Sequence, residues 1–70
     1  MIVYTSDTCA KCRTLKYLLD KWGVDYELRN ISNPEYQKEA DSYGRQLPIT
    51  VVGKDFVVGA NFSAIKAMIQ

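Results

Sequence analysis

Between Tyr4 and Leu15 the apolar spacing of this chain changes from that of a strand to that of a helix. The change falls on its only two cysteines, Cys9 and Cys12. Before them, Ile2 to Tyr4 is a short, partly β-branched run that predicts a strand. After them, Leu15, Leu18, Leu19 and Trp22 recur at i, i+3, i+4 and i+7, one face of a helix, with Lys16, Asp20 and Lys21 elsewhere on it. Gly23 follows as a stop, so the first helix is predicted from Ala10 to Trp22 with Cys9 at its N-terminus. Val24 to Ile31 then alternates, with Val24, Tyr26 and Leu28 apolar and Asp25, Glu27 and Arg29 polar, which predicts a second strand. A strand, helix, strand crossover makes the two strands parallel.

The rest of the chain reads in the same way. Asn33-Pro34-Glu35 is an N-cap, a proline at the first helical position and an acid in the first turn. The helix it opens is predicted to run to about Tyr43, with Gly44 as its stop. Ile49–Val52 and Asp55–Val58, joined at Gly53-Lys54, form a hairpin. Asn61 caps a last helix with Phe62, Ile65, Met68 and Ile69 on its apolar face. The predicted order is β-α-β-α-β-β-α, an α/β fold with a four-stranded mixed sheet flanked by three helices. Residues 1–70 are expected to form one domain.

Composition narrows the function. Nine Lys/Arg against eight Asp/Glu give a net charge of +1, so no general attraction to nucleic acid or to a membrane is expected. The first residues read as a strand without a charged leader, and no apolar run is long enough to span a bilayer. A cytoplasmic location and a monomer are the expectations. In a reducing compartment, disulfides are usually transient and catalytic. A chain of 70 residues buries only roughly 60% of its surface, so its core is small. Cys9 and Cys12 nevertheless close too short a loop to stabilise it much.

That leaves the chemistry of the pair. A zinc site needs about four ligands, and the chain has no second cysteine pair and no histidine. No metal and no other cofactor is expected, although a site shared between chains, or an incidental pair, stays an alternative. A CxxC beside a strand-helix-strand unit reads as a redox motif of the thioredoxin-like kind. A helix N-terminus favours the thiolate at Cys9, and Lys11 and Arg13 are candidates to add positive charge there. Cys12 lies one turn along, within reach of the first sulfur. Pro48 stands just before the third predicted strand in "QLPIT"; by itself it reads as the end of the helix-to-strand connection, and only together with the CxxC does it point to the thioredoxin-like architecture.

"VYTSDTCAKCRTLKYLLDKWGVDYELRNIS" followed by "LPITVVGKDFVVGANFSAIKAM" resembles a small glutaredoxin of the thioredoxin fold, most of all the NrdH-type redoxins. The resemblance implies that Cys9 is the nucleophile, Cys12 the resolving thiol and Pro48 a cis-proline. It implies a dithiol–disulfide oxidoreductase acting on protein disulfides, with ribonucleotide reductase as a target and thioredoxin reductase or glutathione as reductant. An extended target segment would lie beside Leu47 and Pro48, flanked by Thr8, Ala10 and Lys11. The chain departs from glutathione-using members of the group. Ala10-Lys11 stands between the cysteines in place of Pro-Tyr or Pro-Phe, Ser6 in place of lysine, and Gln46-Leu47 in place of Thr-Val before the proline. After Gly59 come Ala60, Asn61, Phe62 and Ser63 rather than an aspartate-bearing pair. It also lacks most of the Trp-Ser-Gly-Phe-Arg-Pro of NrdH-type redoxins, keeping only Gly59 of that stretch. "CAKCR" and "RQLPI" are similar as well to the Spx and arsenate-reductase group, but the segment between Ile31 and Pro48 has room for one helix and not for that group's long helical insertion.

Overall fold

The computed structural model describes residues 1–69. Among them the elements run β1 (Ile2–Thr5), α1 (Ala10–Lys21), β2 (Glu27–Asn30), α2 (Pro34–Asp41), β3 (Ile49–Val52), β4 (Asp55–Val58) and α3 (Phe62–Ile69). The sheet order is β2-β1-β3-β4. β1 pairs with β2 in parallel, while β3 is antiparallel to both β1 and β4. This is the predicted mixed sheet in a thioredoxin-like arrangement.

Each face of the sheet carries its own core. Val3 packs with Leu15 and Leu19 of α1 and Ile65 of α3, all fully buried. On the opposite face Tyr4, Ile49 and Val51 pack with Ala40 of α2. Successive side chains of β1 therefore enter different cores, as the pleat requires.

The helix ends explain their own sequences. Gly23 adopts φ +71°, its N–H bonds to the Asp20 carbonyl at 3.2 Å, and the Val24 N–H bonds to the Leu19 carbonyl at 3.1 Å. These are the two bonds of a Schellman stop, and the left-handed residue between them favours glycine. Asn33 caps α2 by accepting the Glu35 N–H at 3.0 Å, and Asn61 caps α3 by accepting the Ala64 N–H at 3.2 Å.

Three expectations need correction. The second strand is shorter than Val24–Ile31, because β1 is its only neighbour and offers partners only from Ile2 to Thr5; Val24 is also taken up in the helix stop. Its faces differ as well: Leu28 is 40% exposed, whereas Arg29 is half-buried beneath α2. Alternation shows only which residues share a face; here helices cover both faces of the sheet, and β2 lies at its edge. The second helix ends at Asp41 rather than about Tyr43, and Gly44 beyond it does not take the left-handed conformation, since positive φ occurs only at Gly23, Gly53 and Gly59 among the described glycines. A Cβ at Gly44 would meet Val58 Cγ1 at 2.9 Å, so this glycine permits close approach of the α2 end to β4.

Candidate active site

The site grows from the end of β1. Thr5 ends the strand, Ser6 to Thr8 turn, and Cys9 becomes the N-cap of α1 with an extended backbone at φ −94° and ψ 106°. Its N–H donates to the Ser6 carbonyl at 3.3 Å, which closes the turn. Its Sγ accepts the N–H of Cys12 at 3.1 Å. The sulfur thus occupies the place where a serine or aspartate oxygen commonly caps a helix. Cys9 and Cys12 are joined as a disulfide, with their Cα atoms 5.2 Å apart. Cys9 is half-buried, whereas Cys12 is only 1% exposed. A partner can reach the first sulfur much more readily than the second.

The proline segment arrives from β3. Tyr4 pairs with Ile49, so one further step of the antiparallel register sets Pro48 opposite Thr5, at the sheet end that carries the cysteine turn. The Leu47–Pro48 bond is cis, and the Pro48 side chain is fully buried. The Pro48 carbonyl accepts the Gly59 N–H at 2.9 Å. Leu47 is half-buried on the Tyr4–Ile49 cluster, and no backbone hydrogen bond among the described residues engages it.

Thr8, Ala10 and Lys11 are exposed around Cys9. Arg13 is turned elsewhere: its guanidinium donates to the Asp7 carbonyl at 3.3 Å. The Arg13 backbone N–H bonds to the Cys9 carbonyl at 3.4 Å, but among the described residues no side-chain hydrogen bond or ion pair joins Lys11 or Arg13 to Cys9. No group of three or more His, Cys, Asp or Glu side chains converges as a metal site would require, among the described residues.

Two sets of contacts around the site escaped the sequence reading. Asn30, at the end of β2, donates to the Asp7 carboxylate at 2.7 Å and so ties the turn before Cys9 to the sheet edge. On the other face Glu39 of α2 accepts hydrogen bonds from Tyr4 at 2.8 Å and from Arg29 at 2.6 Å, and Arg29 also pairs with Glu27. The Arg29 guanidinium lies 5.4 Å from the Tyr36 ring centre. The Tyr4 hydroxyl and Arg29 hold the Glu39 carboxyl below its ordinary range. Burial, reinforced by Glu39, pushes the Tyr4 hydroxyl up. In the sequence Glu27 and Arg29 read only as the polar half of a regular strand alternation, which carries no sign of this network.

A thioredoxin-like sheet whose first helix is capped by one cysteine of a close pair defines a dithiol redox protein. The chain belongs to the glutaredoxin family, whose model matches residues 1–57. Among solved structures it is similar to the glutaredoxin-like protein NrdH-redoxin from Escherichia coli, described as having a thioredoxin-like activity profile. The TM-score is 0.86 at 28% identity, over 96% of this chain and 91% of that one. No curated protein gives a significant match. Family and cysteine pair together support thiol–disulfide oxidoreductase chemistry. No helix among the described residues is long and apolar enough to cross a membrane.

Proposed function

We propose that this chain reduces protein disulfides through Cys9 and Cys12, and that ribonucleotide reductase is among its targets. The observation that carries this reading is the asymmetry of the pair, an accessible sulfur at the helix N-cap beside a buried one. In the reduced protein, the Cys9 thiolate attacks one sulfur of a target disulfide. The Cys9–target bond forms, and the other target sulfur leaves as a thiolate that takes up a proton. Cys12, deprotonated, then attacks Cys9 Sγ, and the remaining target sulfur departs. Two electrons have passed to the target, and the Cys9–Cys12 bond is restored. Rates follow thiolate fraction, nucleophilicity and the leaving group. Leu47 and Pro48 would guide the target segment past Cys9, with Thr8, Ala10 and Lys11 at its flanks.

The thioredoxin-like activity described for the Escherichia coli protein favours thioredoxin reductase as the electron source. Glutathione is the second reading. A groove of about 320 Å³ beside Leu47 offers Gln37 and Arg45 to a carboxylate-bearing peptide, with Asp41 in the same lining as an opposing charge. The test measures steady-state reduction of a protein disulfide with thioredoxin reductase and NADPH or with glutathione as donor. Turnover with thioredoxin reductase supports the first reading; turnover with glutathione alone transfers the role to the second. Turnover with neither donor overturns the reductase function.

A further inference from the structure

The near-neutral total charge conceals a polarity across the sheet. α1 carries Lys11, Arg13, Lys16 and Lys21 against Asp20, while α2 carries Glu35, Glu39 and Asp41 against Lys38. On the α1 side, an open groove of about 500 Å³ begins at the turn before Cys9 and runs between α1 and the edge strand β2. Arg13 and Lys16 line it on one side, Leu28 and Asn30 on the other. Among the described residues neither Arg13 nor Lys16 forms an ion pair; the Arg13 contact is to a neutral carbonyl. The one acid lining the groove, Asp7, is held by Asn30 at 2.7 Å. Leu28, 40% exposed, adds an apolar contact at the strand edge.

We infer that this groove docks an acidic, partly apolar peptide segment of the disulfide-bearing partner. The segment's carboxylates meet Arg13 and Lys16, an apolar side chain covers Leu28, and the chain leads on toward Cys9. The groove lies on the α1 face, whereas Leu47 packs on the α2 face, so it would add a second point of contact to the one beside the proline. Unpaired basic groups at the rim of a contact act mainly on the rate of encounter and its salt dependence. The inference rests on the reductase reading only for its purpose; the docking itself needs no exchange.

The test is a nuclear magnetic resonance titration of the oxidised protein with a cysteine-free peptide rich in Glu and Asp around one Leu. Its Gln/Asn counterpart is the control. Amide shifts are expected at Asp7, Arg13, Lys16, Leu28 and Asn30 with the acidic peptide alone, weakening as salt rises. Lys16→Glu should weaken binding roughly tenfold, and Lys54→Glu, the same charge change at the β3–β4 turn, should not. Leu28→Gln, which leaves the charge alone, should weaken binding while keeping its salt dependence. The free-protein spectra verify that each variant is folded. Absence of binding, shifts confined to other surfaces, or equal losses in the Lys16 and Lys54 variants would overturn the proposal. A protein that binds the acidic peptide but reduces no disulfide would contradict the reductase reading and leave the docking site standing.

Discussion

The sulfur of Cys9 accepts the backbone N–H of Cys12 at 3.1 Å, so the outer cysteine caps the helix that carries the inner one. The same N–H is available to a thiolate once the disulfide is opened. A negative sulfur at a helix N-terminus is stabilised by that donor and by the positive end of the helix dipole.

Cys9→Ser should abolish disulfide reduction, because the attacking sulfur is lost. Cys12→Ser should retain the first attack and accumulate a mixed disulfide with the target, visible by mass spectrometry. Wild-type turnover in the Cys12 variant would exclude the two-thiol route.

In the reduced protein at neutral pH, iodoacetamide should label Cys9 before Cys12. Cys12 is 1% exposed, and Cys9 has the helix end beside it. Peptide mapping after brief labelling checks the order. Equal labelling would contradict the division into nucleophile and resolving thiol.

Thr50 is fully buried and its hydroxyl has no hydrogen-bond partner among the described residues. An unpaired buried hydroxyl costs about 1–3 kcal/mol. Thr50→Val keeps the shape and removes that cost, so it should stabilise the fold by about 1 kcal/mol. In a domain of this size that is a rise in Tm of roughly 4–8 °C, measurable by calorimetry.

Gly44→Ala should destabilise. Its Cβ would sit 2.9 Å from Val58 Cγ1 and 3.1 Å from Cγ2, and the β-branched valine has little freedom to yield. Overpacking of this kind costs about 1–3 kcal/mol, which urea denaturation would register. Unchanged stability would mean that α2 shifts freely against β4.

Glu39 links stability to pH. Hydrogen bonds from Tyr4 and then Arg29 lower its folded pKa below the ordinary 4.5. A depressed carboxylate contributes stability that is present above the unfolded value and is lost as pH falls through the folded one. Denaturation midpoints of the wild type should therefore fall as the pH drops below about 4.5. Glu39→Gln should flatten that part of the profile. Identical slopes would show that this network has no share in acid sensitivity.

Local sequence determined the order of elements, the redox pair and its helix, because these depend on near neighbours. The period change at Cys9, the Gly23 stop and the Asn33 and Asn61 caps are signals that act within a few residues of where they are read. The position of Pro48 also carried its pairing with the cysteine turn, though only through the resemblance to a family. What tertiary structure alone decided involves partners far apart in the chain. Arg29 is recruited by Glu39 and Tyr4, so a residue with the spacing of a solvent face lies beneath α2. Leu28, with the spacing of a core face, is left at an open edge because β2 has a neighbour on one side only. Gly44 answers to Val58 across the sheet rather than to its own helix. Asp7 gains its role from Asn30, which the parallel register sets opposite Thr5 beside the cysteine turn. Hydrophobic periodicity states which side of an element is apolar; only the assembled sheet determines which sides are covered, and by what.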